Sequence, residues 1–136
     1  MQMLTLYLIT ALIFLGLDVV MLKTVMRPLF ETRLGDQLLE DPRLGVAAVF
    51  YLFYVGALLW FVSVPALEDD RPLKALLGGA LLGAMAYGTY EFTSYAVMRD
   101  WSPTMVAVDL TWGTVLTGVS AWAGVAATRA LFPAAG

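Results

Sequence analysis

Four long apolar stretches fill most of this chain and leave it few ways to fold. Crossing the hydrocarbon core of a bilayer takes about 20 predominantly apolar residues in a helix. The stretches run from about Met3 to Met26, Leu44 to Ala66, Leu73 to Met98 and Thr104 to Phe132. Of the 136 residues, 60% are hydrophobic and 14% charged. Soluble domains average about a quarter charged, and a chain this short has too little interior to hide so much apolar surface. The expected architecture is all-α, an integral membrane four-helix up-down bundle forming a single transmembrane domain over residues 1–136. Irregular backbone cannot face lipid, which favours short connections.

Composition also excludes chemistry. The chain has no cysteine, so disulfides, thiolate metal sites and thiol redox steps are ruled out. It has no histidine, the commonest metal ligand and the base that titrates near neutral pH. No metal site is expected, and the residues name no cofactor. A net charge of −3 does not suggest nucleic acid as a partner.

The breaks between spans carry stop chemistry. Pro28 follows the first span, Pro42 precedes the second and Pro65 sits near its end. Glu68 to Pro72 is a charged turn before the third span. Ser102 or Thr104 is placed to cap the fourth helix, with Pro103 in the tolerated first turn. The first span lacks a basic leader and a small-residue cleavage site, so it reads as a retained helix rather than a signal peptide. Between spans one and two, Arg27 to Arg43 is the only long connection. Leu29, Phe30, Leu34, Leu38 and Leu39 recur at helical spacing among Glu31, Arg33, Asp36, Gln37 and Glu40. This predicts a short amphipathic helix in the interface plane; a solvated loop is the plain alternative. Lys23, Arg27, Arg33, Arg43 and Arg99 on one side outweigh Arg71, Lys74 and Arg129 on the other, which places the long loop inside and both termini outside.

An ionisable residue inside a span costs about 2.5–3.5 kcal/mol on insertion scales, so it is a functional candidate by default. Asp18, Glu91 and Asp109 are such residues. At 1.5 Å rise per residue, all three fall roughly 7–14 Å inside the same leaflet. Three acids on three helices at one depth most simply converge on one pocket. Tyr51 and Tyr54 lie at that depth on the second helix, Tyr87 shares a face with Glu91, and Trp112 lies between acids and glycines on the fourth. Gly79 and Gly83 mark a close-packing face. Trp101, Tyr7 and Trp60 read as interfacial belt residues. With no basic residue at equal depth, the acids need a proton, Tyr, Trp and Thr donors, or a bound cation. The plain alternative is three hydrogen-bonded staples between helices.

Three stretches carry a family resemblance: Phe50 to Gly56, Tyr87 to Thr93, and Val108 to Thr114 with its Asp-x-x-Trp-Gly-Thr core. They resemble the small bacterial membrane proteins catalogued as domain of unknown function 2177, from the first helix to the fourth. Members often carry Asp where this chain has Glu91, a departure that keeps the charge. The resemblance implies a multi-pass, four-helix protein of the bacterial inner membrane with no established activity. It also implies a setting in lipid metabolism, since members occur alongside lipid-modifying methyltransferases and membrane reductases.

Asp18, Glu91, Asp109, Tyr87, Trp112, Tyr51 and Tyr54 are therefore the candidate ligand-binding residues. An acidic pocket near one leaflet suits a lipid-like or amphipathic ligand, and burial that separates carboxyl pKa values permits acid–base modification of it. Two other classes remain: a proton- or cation-coupled transporter subunit, and an accessory or assembly subunit of a larger membrane complex. Membrane lipids are the expected partners, with a second copy of the chain or another membrane protein beside them.

Overall fold

Proline interrupts this chain less than its sequence suggests. The computed structural model describes residues 1–38 and 43–133, which are helical apart from short turns and ends. Helix Gln2–Met21 (α1) passes through a widened i→i+5 turn at Leu22–Met26 into Arg27–Leu34 (α2), then a 3-10 turn at Gly35–Gln37. Pro28, expected to end the first helix, lies inside this run. Proline lacks an N–H and its ring clashes with the carbonyl four residues earlier. That carbonyl belongs to Thr24, inside the widened turn, which moves it aside. The same device recurs in the second run. Leu44–Leu58 (α3) widens at Leu59–Ser63 before Val64–Glu68 (α4), and the carbonyl facing Pro65 belongs to Phe61. Of the expected amphipathic segment, Leu39, Glu40, Asp41 and Pro42 lie outside the described residues. The described part continues the first helix rather than starting a separate one.

Asp70 turns the chain after α4. It holds the left-handed conformation at φ 58°. The Arg71 N–H donates to Ala66 O at 2.9 Å and the Asp70 N–H to Leu67 O at 3.1 Å. This is the paired closure that usually employs glycine at the Asp70 position. Its carboxylate also pairs with Arg129, tying the turn to the far end of the chain. Pro72–Val97 (α5) and Pro103–Leu131 (α6) follow, 26 and 29 residues long. Ser102 caps α6 as expected, its hydroxyl accepting from the Met105 N–H at 3.2 Å.

Helices α5 and α6 pack antiparallel on glycine. A Cβ at Gly79 would lie 2.8 Å from Thr117 O, and one at Gly118 would lie 2.9 Å from Leu76 O. At Gly83 it would strike the Gly113 carbonyl. The face expected to pack closely therefore does so, against α6. Helix α1 lies antiparallel to α6, through Asp18 with Trp112 at one end and Thr10 with Gly124 at the other. It also meets α3, where the Tyr7 hydroxyl donates to Leu52 O at 2.8 Å.

Apolar side chains cover much of the outside, and polar residues share the interior with the apolar core. Leu12, Val46, Phe53, Trp60, Leu77, Leu81 and Met85 face outward, while Thr10, Asp18, Ser63, Glu91, Asp109, Thr117, Ser120 and Thr128 are buried. Soluble monomers seldom expose contiguous apolar faces of that size. Two helical runs, Gln2–Gln37 and Leu44–Glu68, are long and apolar enough to cross a membrane. Helices α5 and α6 are long enough, at about 39 and 43 Å, but their glycines, hydroxyls and acids dilute their apolarity.

Candidate functional site

The three buried acids come from three helices. Asp18 sits three residues before the end of α1, Glu91 near the end of α5, and Asp109 two turns into α6. Because α1 and α5 both run antiparallel to α6, late residues on the first two meet early residues on the third. Glu91 is fully buried, Asp18 is 4% exposed and Asp109 8%. Asp109 lies against Glu91 and within electrostatic reach of Asp18.

Indoles hold two of the acids. The Trp112 Nε1–H donates to Asp18 Oδ1 at 3.2 Å, and the Trp101 Nε1–H donates to Glu91 Oε1 at 2.9 Å. Glu91 Oε2 is buried without a hydrogen-bond partner among the described residues, and the Glu91 carboxyl lies beside Asp109. The ion pairs of the described residues lie outside this cluster, at Arg27–Glu31, Lys74–Asp69 and Arg129–Asp70. Two carboxyls facing each other away from water need a proton or a cation between them, because an uncompensated buried charge is very costly.

The phenols form the inner wall. Tyr51 lies against both Asp18 and Tyr87. Phe14, fully buried, packs tilted against both rings, at centroid separations of 5.6 Å from Tyr51 and 5.4 Å from Tyr54. The Tyr54 hydroxyl and Thr117 Oγ1 are 3.0 Å apart. The Tyr87 ring occupies the space a side chain at position 113 would need, so Gly113 is required for the ring to enter. The Tyr87 hydroxyl is buried without a hydrogen-bond partner among the described residues. All seven candidate residues thus fall in one neighbourhood.

That neighbourhood is packed rather than hollow. Beside it runs a lateral groove of about 420 Å³ between α1 and α6, lined by Met21, Ala107, Val108, Thr111, Trp112 and Val115. Its lining is almost wholly apolar, and Trp112 stands between it and Asp18.

Trp101 corrects the sequence reading. Expected in an interfacial belt, it is only 8% exposed and bonded to Glu91. Phe30 meets it edge-on at 5.3 Å and Tyr90 at 5.7 Å. Leu29, Phe30 and Leu34 of α2 pack on Trp101, Met105 and Val106. The extension of the first helix thereby covers the Glu91 side of the cluster. Trp60 faces outward, as a belt residue would. Phe14 and Thr117 also join the cluster, as their helical spacing from Asp18 and from Gly113 suggests.

The family described as predicted membrane protein (DUF2177) matches residues 3–126. The chain belongs to this family. The matched span contains every acid, phenol and indole of the cluster. No curated protein and no solved structure matches this DUF2177 member.

Proposed function

We propose that this protein binds a membrane amphiphile, with a cationic or hydrogen-bond-donating head at the acid cluster and an apolar tail in the groove between α1 and α6. On this reading all four long helices cross the bacterial inner membrane as an up-down bundle, and α2 lies at the membrane face. The pairwise antiparallel packing and the outward apolar faces support that topology. The observation that carries the ligand reading is the juxtaposition of three buried carboxyls, with no ion-pair partner among the described residues, beside an apolar groove. Trp112 links the two, since it lines the groove and its indole N–H donates to Asp18.

The test is purification from native membranes followed by lipid mass spectrometry. Wild type should retain one amphiphile class in stoichiometric amount, and Asp18→Asn and Asp109→Asn should lose it. Equal, nonspecific lipid profiles for wild type and both variants would leave the acids as structural staples. A protein that co-purifies through the acids would instead favour an accessory subunit.

A further inference from the structure

The end of the bundle away from the acid cluster carries a depression of about 480 Å³. The start of α1, the turn after α4 and the end of α6 meet there. Its lining includes Gln2, Leu67, Asp70, Ala126, Arg129 and Phe132. The volume lies within the range of about 300–1,000 Å³ typical of small-ligand sites. Unlike the groove beside Trp112, this depression is mainly polar.

Two opposite charges stand side by side in it. Arg129 Nε meets Asp70 Oδ1, and the two side chains are 38% and 59% exposed. A guanidinium has five N–H donors and a carboxylate two oxygens. The contact uses one donor and one oxygen, and among the described residues neither group has a second ion-pair partner. The Nη groups of Arg129 and Oδ2 of Asp70 are left to the depression. The turn itself does not call for a carboxylate. Asp70 holds φ 58°, where glycine is usual, and backbone N–H groups close the turn. The charged side chains described at this end also balance. Glu68, Asp69 and Asp70 stand against Arg71, Lys74 and Arg129, and Lys74 is already held by Asp69. Such a surface has little net pull on an anion and suits a ligand that carries both signs close together.

We infer that the depression binds the headgroup of a zwitterionic phospholipid whose cation is a primary ammonium, a phosphatidylethanolamine. The Nη groups of Arg129 donate to the phosphate, which a planar guanidinium suits. Asp70 Oδ2 accepts from the ammonium, two carbons beyond the phosphate ester. A quaternary ammonium has no N–H to give Asp70. Its usual site is a cage of aromatic rings, and Phe132 is the one aromatic among the described residues of this lining. Leu67, Ala126 and Phe132 supply apolar surface for the glycerol and the first methylenes. The inference rests on the membrane-spanning topology proposed above, which sets this end at headgroup level. It does not rest on the amphiphile at the acid cluster.

The experiment titrates purified full-length protein in detergent with phosphatidylethanolamine, phosphatidylcholine and phosphatidylglycerol of identical acyl chains, and counts bound lipid by native mass spectrometry. Wild type should bind a single phosphatidylethanolamine several-fold more tightly than either other lipid. Asp70→Asn keeps a side chain that tolerates the left-handed turn and should bring phosphatidylethanolamine down to the level of phosphatidylcholine. Arg129→Gln should weaken phosphatidylethanolamine several-fold. An exposed ion pair adds little to stability, so both variants should fold. Soluble phosphoethanolamine should bind several-fold more weakly than the lipid, since it lacks the apolar contacts. Asp18→Asn should leave this affinity unchanged, which separates the site from the acid cluster. Equal affinity for the three lipids, a preference for phosphatidylglycerol, or soluble phosphoethanolamine as tight as the lipid overturns the proposal. So does loss of phosphatidylethanolamine in Asp18→Asn with its retention in Asp70→Asn.

Discussion

Replacing Gly83 with alanine puts a methyl group where α5 and α6 touch. The new carbon would lie 2.8 Å from both Cβ and Oγ1 of Thr117 and would also strike the Gly113 carbonyl. That carbonyl is part of a helix and cannot turn aside, so the helices must part by roughly half an ångström or more to restore ordinary packing distances. Overpacking of this kind costs about 1–3 kcal/mol. Disturbing Thr117 also threatens its hydrogen bond with Tyr54, a further ~1 kcal/mol. Alanine is the better helix former by about 1 kcal/mol, so the net loss should be about 1–3 kcal/mol. Gly16→Ala is the control, because nothing lies within 4 Å of a Cβ there. It should be neutral or stabilising by up to about 1 kcal/mol. Reversible unfolding by sodium dodecyl sulfate in mixed micelles, followed by tryptophan fluorescence, measures both. Equal stability of the two variants would refute the close α5–α6 contact.

Trp101→Phe keeps a ring beside Phe30 but removes the indole donor to Glu91; the same unfolding assay should show a loss of about 1–3 kcal/mol. Phe14→Ala empties the space between α1 and the Tyr51 and Tyr54 rings and should cost about 3–5 kcal/mol, with altered tyrosine signals in near-UV circular dichroism. Outside the membrane, the hydrogen bond and charge of Lys74 hold the Asp69 carboxyl below its ordinary range. Its contribution to stability is therefore present above the ordinary carboxylate pKa and is lost as pH falls through its lower folded value. Unfolding measured from pH 7 to 3 should show that this loss disappears in Asp69→Asn.

The common level of the acids along the bundle was legible because helix rise is fixed and apolar runs have visible edges. Asp18, Glu91 and Asp109 could be placed at one level before any packing was known. Gly79 and Gly83 announced a close approach, but not that α6 would make it, since a one-helix pattern does not name its partner. Trp101 was misread for a related reason. It sits in a short turn, and whether such an indole meets headgroups or protein depends on α2 covering it. That in turn depends on the helix continuing through Pro28, which the sequence presents as a stop. The widened turns at Leu22–Met26 and Leu59–Ser63 are backbone adjustments with no side-chain signature beyond the proline that follows. The packed state of the acid cluster was equally hidden, because residue types at one depth do not reveal whether rings such as Phe14 and Tyr87 fill the space between them.

Whether Glu91 and Asp109 act as one unit is the most direct test of the account. A double-mutant cycle with Glu91→Gln, Asp109→Asn and the combined variant, read by unfolding in mixed micelles, isolates their interaction. Groups in contact show coupling of about 0.5–3 kcal/mol, whereas distant sites add to within about 0.3–0.5 kcal/mol. The account predicts coupling in the first range, and a second cycle of Asp18→Asn with Asp109→Asn should show a smaller coupling of the same origin. Strict additivity of Glu91→Gln and Asp109→Asn would contradict a shared acid site.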